Sequence, residues 1–203
     1  MKKQIIVIHG GDTFNNYDEW FEYLKTKKLD FERMKASQVE WKALLQERLG
    51  DDYEVILPQM PNKQNSKYAE WKIWFETMTP FFDPTVIFIG HSLGGIFLAK
   101  YLSENNFSKK IIATILVAAP FDKESDYSLG DFRLPPDLSN FERQGGEIFL
   151  YHSKDDPVVP YSDFEKYKKV LPAAVDRIFD NRGHFNQENL PEIIEDIRKI
   201  NYL

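Results

Sequence analysis

The chain has 203 residues, with 26 lysines and arginines against 32 aspartates and glutamates, for a formal net charge of −6. This length fits a single domain able to bury a substantial core, and mild acidity without a basic stripe argues against binding to a nucleic-acid backbone. There is no cysteine, which excludes a disulfide framework, a thiolate nucleophile and a cysteine metal site.

Met1-Lys2-Lys3-Gln4 leads into only four apolar residues, Ile5 to Ile8. That run is too short for a signal-peptide core or a membrane span, so a cytoplasmic location is the expectation. Short β-branched runs that read as buried parallel strands fall at residues 4–8, 53–57, 85–89, 111–117, 147–151 and 175–179. Helical spacing separates them. Val39, Trp41, Leu44, Leu45 and Leu49 make one stripe, closed by Gly50. Tyr68, Trp71, Trp74, Phe75 and Met78 make a second, ended before Pro80. Further stripes run through Ile96, Phe97, Tyr101 and Leu102, through Phe164, Tyr167 and Leu171, and through Ile193, Ile194, Ile197 and Ile200. Strands alternating with helices predict a parallel sheet covered on both faces. Sites in such sheets lie beyond the C-terminal ends of the strands.

Two stretches depart from the alternation. Residues 12–36 carry an additional helical pattern with Phe14, Tyr17, Trp20, Phe21 and Leu24 on one face. Residues 121–145 lack clear periodicity and hold Phe121, Tyr127, Leu129, Phe132 and Leu134. Both follow strand ends, and both are read as candidate lid segments of one domain spanning residues 1–203.

Gly90-His91-Ser92-Leu93-Gly94-Gly95 follows the third strand and opens a helix, the arrangement of a G-x-S-x-G nucleophile elbow. The three fixed positions recur by chance in roughly 7% of chains this long, so the placement between strand and helix carries the assignment. The serine needs a sharp turn, and side chains two residues before or after it would strike the backbone, hence Gly90 and Gly94. The turn sets the Ser92 hydroxyl at a helix N-terminus, where the Leu93 N–H is placed to stabilise an oxyanion.

Of the four histidines, His9 ends the first strand, His91 neighbours the serine and cannot fold back on it, and His152 ends the fifth strand. His184, in Asn181-Arg182-Gly183-His184-Phe185, occupies the loop after the last strand and is the expected general base. The acid should lie between serine and base in chain order. Asp155 and Asp156 compete there, and the run Asp156-Pro157-Val158-Val159-Pro160 favours Asp156. A second oxyanion N–H is expected from His9-Gly10-Gly11-Asp12, with Gly11 the first choice and Asp12 the second.

Together these four segments resemble the α/β-hydrolase superfamily, and the short length resembles the compact serine hydrolases related to retinoblastoma-binding protein 9. The resemblance implies a three-layer α/β/α sandwich with about six parallel strands in the order 2-1-3-4-5-6 and a helical insertion after the first strand. It also implies a triad of Ser92, His184 and Asp156 that hydrolyses a carbonyl substrate through an acyl-enzyme, with no metal or organic cofactor. Residues 12–50 run longer than in that compact group, and without cysteine the chain lacks an L-x-C-x-E retinoblastoma-binding motif.

The surplus of aromatics bears on the substrate. Phe14 with Tyr17, Trp20 and Phe21 is read as a roof, and Phe121 with Phe132 as a second wall, of a pocket for a small, moderately apolar ester. An aminopeptidase or amidase on the same triad, with Asp12, Asp18 or Glu19 as the amine anchor, is the alternative enzyme. A non-catalytic binding protein retaining the fold is the alternative outside enzymology.

Overall fold

Successive side chains of a strand point to opposite faces of a sheet, and the first strand separates its own residues accordingly. Ile6 and Ile8 of β1 (Lys3–Ile8) join one buried cluster, Ile5 and Val7 the other. The computed structural model describes residues 2–29, 31–35, 39–121 and 129–202. Its central sheet adds β2 (Tyr53–Ile56), β3 (Thr85–His91), β4 (Lys110–Val117), β5 (Glu147–Ser153) and β6 (Val175–Phe179). The order is β2-β1-β3-β4-β5-β6, with every pairing parallel.

The helices are α1 (Tyr17–Thr26), α2 (Phe31–Lys35), α3 (Trp41–Leu49), α4 (Tyr68–Met78), α5 (Leu93–Glu104), α6 (Ser139–Gln144), α7 (Tyr161–Val170) and α8 (Pro191–Lys199). On one face, Trp71 and Phe75 of α4, Phe97 of α5, Phe141 of α6 and Phe164 of α7 pack on the sheet. On the other, Trp41 and Leu45 of α3 meet Ile193 and Ile197 of α8. The result is the three-layer α/β-hydrolase sandwich anticipated from the sequence. Among the described residues, no helix is long and apolar enough to cross a membrane.

Helix α1 does form within residues 12–36. Asn16 caps it by accepting the Glu19 N–H at 2.9 Å. None of its residues is buried, so it lies outside the three layers. In the other irregular stretch, residues 122–128, including Tyr127, fall outside the described residues. Phe132, Leu138 and Phe141 beyond them belong to the core. The strand order reverses where β1 lies between β2 and β3, and ligand sites of open sheets form at such reversals. The loops after β1 and β3 meet there.

Candidate active site

Ser92 sits at the N-terminus of α5 with φ +54°, a conformation a non-glycine residue rarely adopts. The turn closes through the Ser92 N–H, which donates to Val117 O at 2.8 Å, and the Ser92 carbonyl, which accepts from the Gly95 N–H at 2.8 Å. A Cβ on Gly90 would stand 2.5 Å from Gly94 O, and one on Gly94 would strike the Ile8 and His9 carbonyls. The two glycines thus supply the space that the serine's turn consumes.

His184 lies between two residues in the left-handed region, Gly183 at φ +51° and Phe185 at φ +52°. The buried Phe185 side chain holds the loop to the α3 and α8 face of the sheet. His184 Nδ1 meets Asp156 Oδ2 at 2.9 Å and Oδ1 at 3.1 Å. Asp156 Oδ1 also accepts the N–H groups of Val158 and Val159, at 2.8 and 3.0 Å, so the carboxylate is fixed from both sides. Asp155 is occupied differently. It accepts from the Ser153 hydroxyl and from the Gly183 N–H at 2.9 Å, contacts that hold its carboxyl below the usual carboxylate range. The geometry therefore pairs Asp156, not Asp155, with the histidine. Among the hydrogen bonds of the described residues, none joins Ser92 to His184; the two line a common cleft.

His91 is fully buried beside that pair. Its Nε2 is 2.9 Å from the His184 carbonyl and its Nδ1 is 3.0 Å from Lys42 Nζ. Burial pushes its pKa well down, and the neighbouring Lys42 adds to the effect. Lys42 forms an ion pair with Glu40; burial draws the ammonium below its ordinary value, and Glu40 opposes that shift. His152 bonds to the Val159 carbonyl at 3.0 Å and steadies the loop that carries Asp156.

The loop after β1 is set by His9. Its Nε2 accepts the Met60 N–H at 2.9 Å, so Nδ1 carries the proton and donates to Gly10 O at 2.6 Å. In a trans peptide the N–H points opposite to the carbonyl, so this bond orients the Gly11 N–H. The other expected donor, the Asp12 N–H, is already given to Lys63 O at 2.8 Å. Gly10 faces the serine, since a Cβ there would lie 3.0 Å from Ser92 Cβ.

Two hollows meet at Ser92. The larger, about 790 Å³, is mixed: His9, Asp12, Glu40, Lys42 and Lys63 give it charged and polar wall, and Val7, Val39, Leu57 and Val158 give it apolar wall. The smaller, about 310 Å³, is mostly apolar and includes Phe14, Tyr23, Leu93, Pro120, Leu129 and Val159. Among the described residues, no three His, Asp or Glu side chains converge to hold a metal ion.

Residues 31–196 match the family described as serine hydrolase. The chain belongs to the serine hydrolase family. It is 25% identical to serine hydrolase RBBP9 of Rattus norvegicus over 151 residues, covering 73% of this chain and 78% of that one. It is 23% identical to the putative hydrolase YdeN of Bacillus subtilis over 195 residues, 93% and 88% of the two chains. The crystal structure of the B. subtilis ydeN gene product superposes with a TM-score of 0.77 at 19% identity, covering 98% of each chain. Naproxen esterase of B. subtilis superposes at 0.61 with 10% identity, covering 98% of this chain and 84% of that one.

In this serine hydrolase, residues expected from separate strand ends come together: Ser92 and Leu93, Gly11, Asp156 and His184. The aromatic walls need correction. Phe14 does line the apolar hollow, packed on Tyr23 with ring centroids 5.0 Å apart. Phe132 is fully buried against Tyr68 and Trp71 and is a core residue, not a pocket wall. Phe121 packs edge-on against Tyr167 at 4.9 Å and does not line either hollow at Ser92. The sequence reading also missed Lys42, Glu40 and Lys63. Lys42 carries a signal in hindsight: it is a lysine beside the apolar stripe of α3, on the side turned toward the sheet.

Proposed function

We propose that the protein hydrolyses small carboxylic esters through an acyl-enzyme on Ser92. The observation that carries this reading is the 2.9 Å contact of His184 Nδ1 with Asp156, in a cleft that His184 shares with the strained Ser92. His184 Nε2 takes the Ser92 proton as Oγ attacks the carbonyl carbon, and the negative charge moves to the carbonyl oxygen. The N–H groups of Leu93 and Gly11 receive that oxyanion. Asp156 keeps the Nδ1–H tautomer and stabilises the imidazolium. The imidazolium then returns its proton to the leaving alcohol, and water attacks the acyl-enzyme with His184 again as base. The resting gap between Ser92 and His184 closes as the substrate seats, as is common in ligand-free sites.

The two hollows divide the substrate between them. The acyl chain enters the apolar hollow beside Phe14, Tyr23 and Leu129, and the alcohol lies toward the charged cleft. Helix α1 overhangs the acyl side through Tyr23 and acts as a lid. Treatment with a fluorophosphonate probe tests the nucleophile. Labelling of wild type but not of Ser92→Ala is expected; equal labelling of both would refute the assignment.

A further inference from the structure

The hydrogen-bond chain behind the base has a direction that chemistry alone determines. A carbonyl oxygen only accepts, so the His91 Nε2 at 2.9 Å from His184 O must carry a proton. The opposite ring nitrogen, Nδ1, faces Lys42 Nζ at 3.0 Å. A lysine paired to Glu40 only donates, so Nδ1 must be bare. A protonated Nδ1 would press an N–H against an ammonium inside the protein. The His184 carbonyl therefore sets the tautomer of this buried histidine, and Lys42 satisfies the ring nitrogen left bare.

We propose that Lys42 is a positioning residue for the base, acting through His91 on the main chain of His184. This rests on His184 serving as the base of Ser92. The three groups come from three elements: the start of α3, the end of β3 and the loop after β6. The His184 loop has other anchors, including the Trp41 indole on Phe185 O and the Gly183 N–H on Asp155. Loss of Lys42 thus leaves the fold standing and frees one contact, the one nearest the imidazole. With no donor at Nδ1, a buried acceptor is left unsatisfied. The ring then turns toward another donor, its Nε2–H leaves the His184 carbonyl, and the loop shifts. Displacements on the order of 1 Å cost roughly a hundredfold in rate when they misalign reacting groups.

Nitrogen-15 NMR of the histidine rings, read in wild type, Lys42→Met and Lys42→Arg, tests this without relying on activity. Wild type and Lys42→Arg should show His91 protonated at Nε2 with a bare, hydrogen-bonded Nδ1, and in Lys42→Met both ring-nitrogen resonances should shift as Nδ1 loses its donor and Nε2–H its carbonyl. With p-nitrophenyl acetate, kcat should fall about ten- to a hundredfold in Lys42→Met, with KM nearly unchanged and with recovery in Lys42→Arg. The rate of fluorophosphonate labelling at Ser92 should fall in parallel. A wild-type His91 protonated at Nδ1 would overturn the proposal even if no variant folds. So would a Lys42→Met protein with unchanged kcat, or one whose KM alone rises, which would make Lys42 a substrate anchor. Absence of Ser92-dependent labelling in wild type would instead sink the reading of the triad, while the tautomer remains measurable.

Discussion

The indole N–H of Trp41 donates to the main-chain carbonyl of Phe185 at 2.9 Å, and both residues are buried. The bond ties the first residue of α3 to the residue after His184. The Trp41 N–H reinforces it by donating to Gln187 O at 3.0 Å. Trp41→Phe keeps most of the apolar volume and strands a buried carbonyl, which costs about 1–3 kcal/mol. Urea denaturation should show that loss, and the fluorophosphonate labelling rate should drop further than Ser92 exposure alone would explain. Unchanged stability and rate would mean that the loop is held elsewhere.

The adjacent aspartates should separate in kinetics. Asp156→Asn retains an acceptor for the Val158 and Val159 N–H groups and loses the charge beside His184, so kcat should fall by about three to four orders of magnitude. Asp155→Asn acts away from the imidazole, chiefly on the Ser153 hydroxyl and the Gly183 N–H. Its kcat should fall by about tenfold or less, a consequence of a looser loop. Ester turnover by the two proteins decides the matter, and a reversed order would assign the acid to Asp155.

Glycine resists substitution for two distinct reasons here, and they predict different costs. Gly50 has φ +82° with open space around its missing Cβ, so Gly50→Ala should cost about 1–3 kcal/mol from backbone strain alone. At Gly94 a methyl meets the carbonyls of Ile8 and His9, so Gly94→Ala should displace β1 from α5 and unfold the elbow. Thermal melts should rank Gly94→Ala well below Gly50→Ala.

The fold was legible because its elements obey one period each. Every strand anticipated from a β-branched run is present, and Gly50 stops α3 as a C-terminal signal should. The placement of Ser92, Gly11 and His184 was legible for a related reason: the loops after parallel strands gather at one edge of the sheet, so position along the chain reported position in space. Side-chain direction was not legible. Phe132 and Phe14 look alike in sequence, yet one fills the core and the other lines a hollow, because residues 129–145 fold inward with no periodicity to announce it. The burial of Lys42 was only faintly legible, from its place beside the α3 stripe, because the partners that make it tolerable, Glu40 and His91, include one whose proximity is tertiary.

Acid should weaken the fold through its histidines. His91 and His152 are buried, and burial lowers both below the ordinary 6.5. A histidine with a depressed folded value stays neutral in the native state while the unfolded chain takes up its proton. Stability is therefore full above about pH 6.5 and declines as pH falls below it, by up to about 1.4 kcal/mol per pH unit for each such residue. Urea midpoints at pH 7.5, 6.5 and 5.5 should step downward, and His152→Gln should shallow the decline. A flat profile would mean that these rings take up protons in the fold as readily as in the unfolded chain.

Acyl-chain preference should report the depth of the apolar hollow. Each added methylene that fits is worth about 0.8 kcal/mol, or roughly fourfold in kcat/KM, until the space beside Leu129 is filled. Phe14→Ala widens the mouth and should move the optimum toward longer acyl groups on a p-nitrophenyl ester series. An unchanged optimum would place the acyl chain in the charged cleft.

Helix α1 contributes no buried residue, whereas α3 grips the histidine loop through Trp41 and, by way of His91, through Lys42. On the proposed mechanism, access to Ser92 and alignment of His184 are thus mechanically separate tasks assigned to neighbouring stretches of chain. The outer helix would then be free to change its surface, and with it the guests admitted, while the proposed proton-transfer geometry is insulated from that drift. Diversification within such a scaffold should concentrate in residues 14–29 and leave residues 40–42 comparatively still.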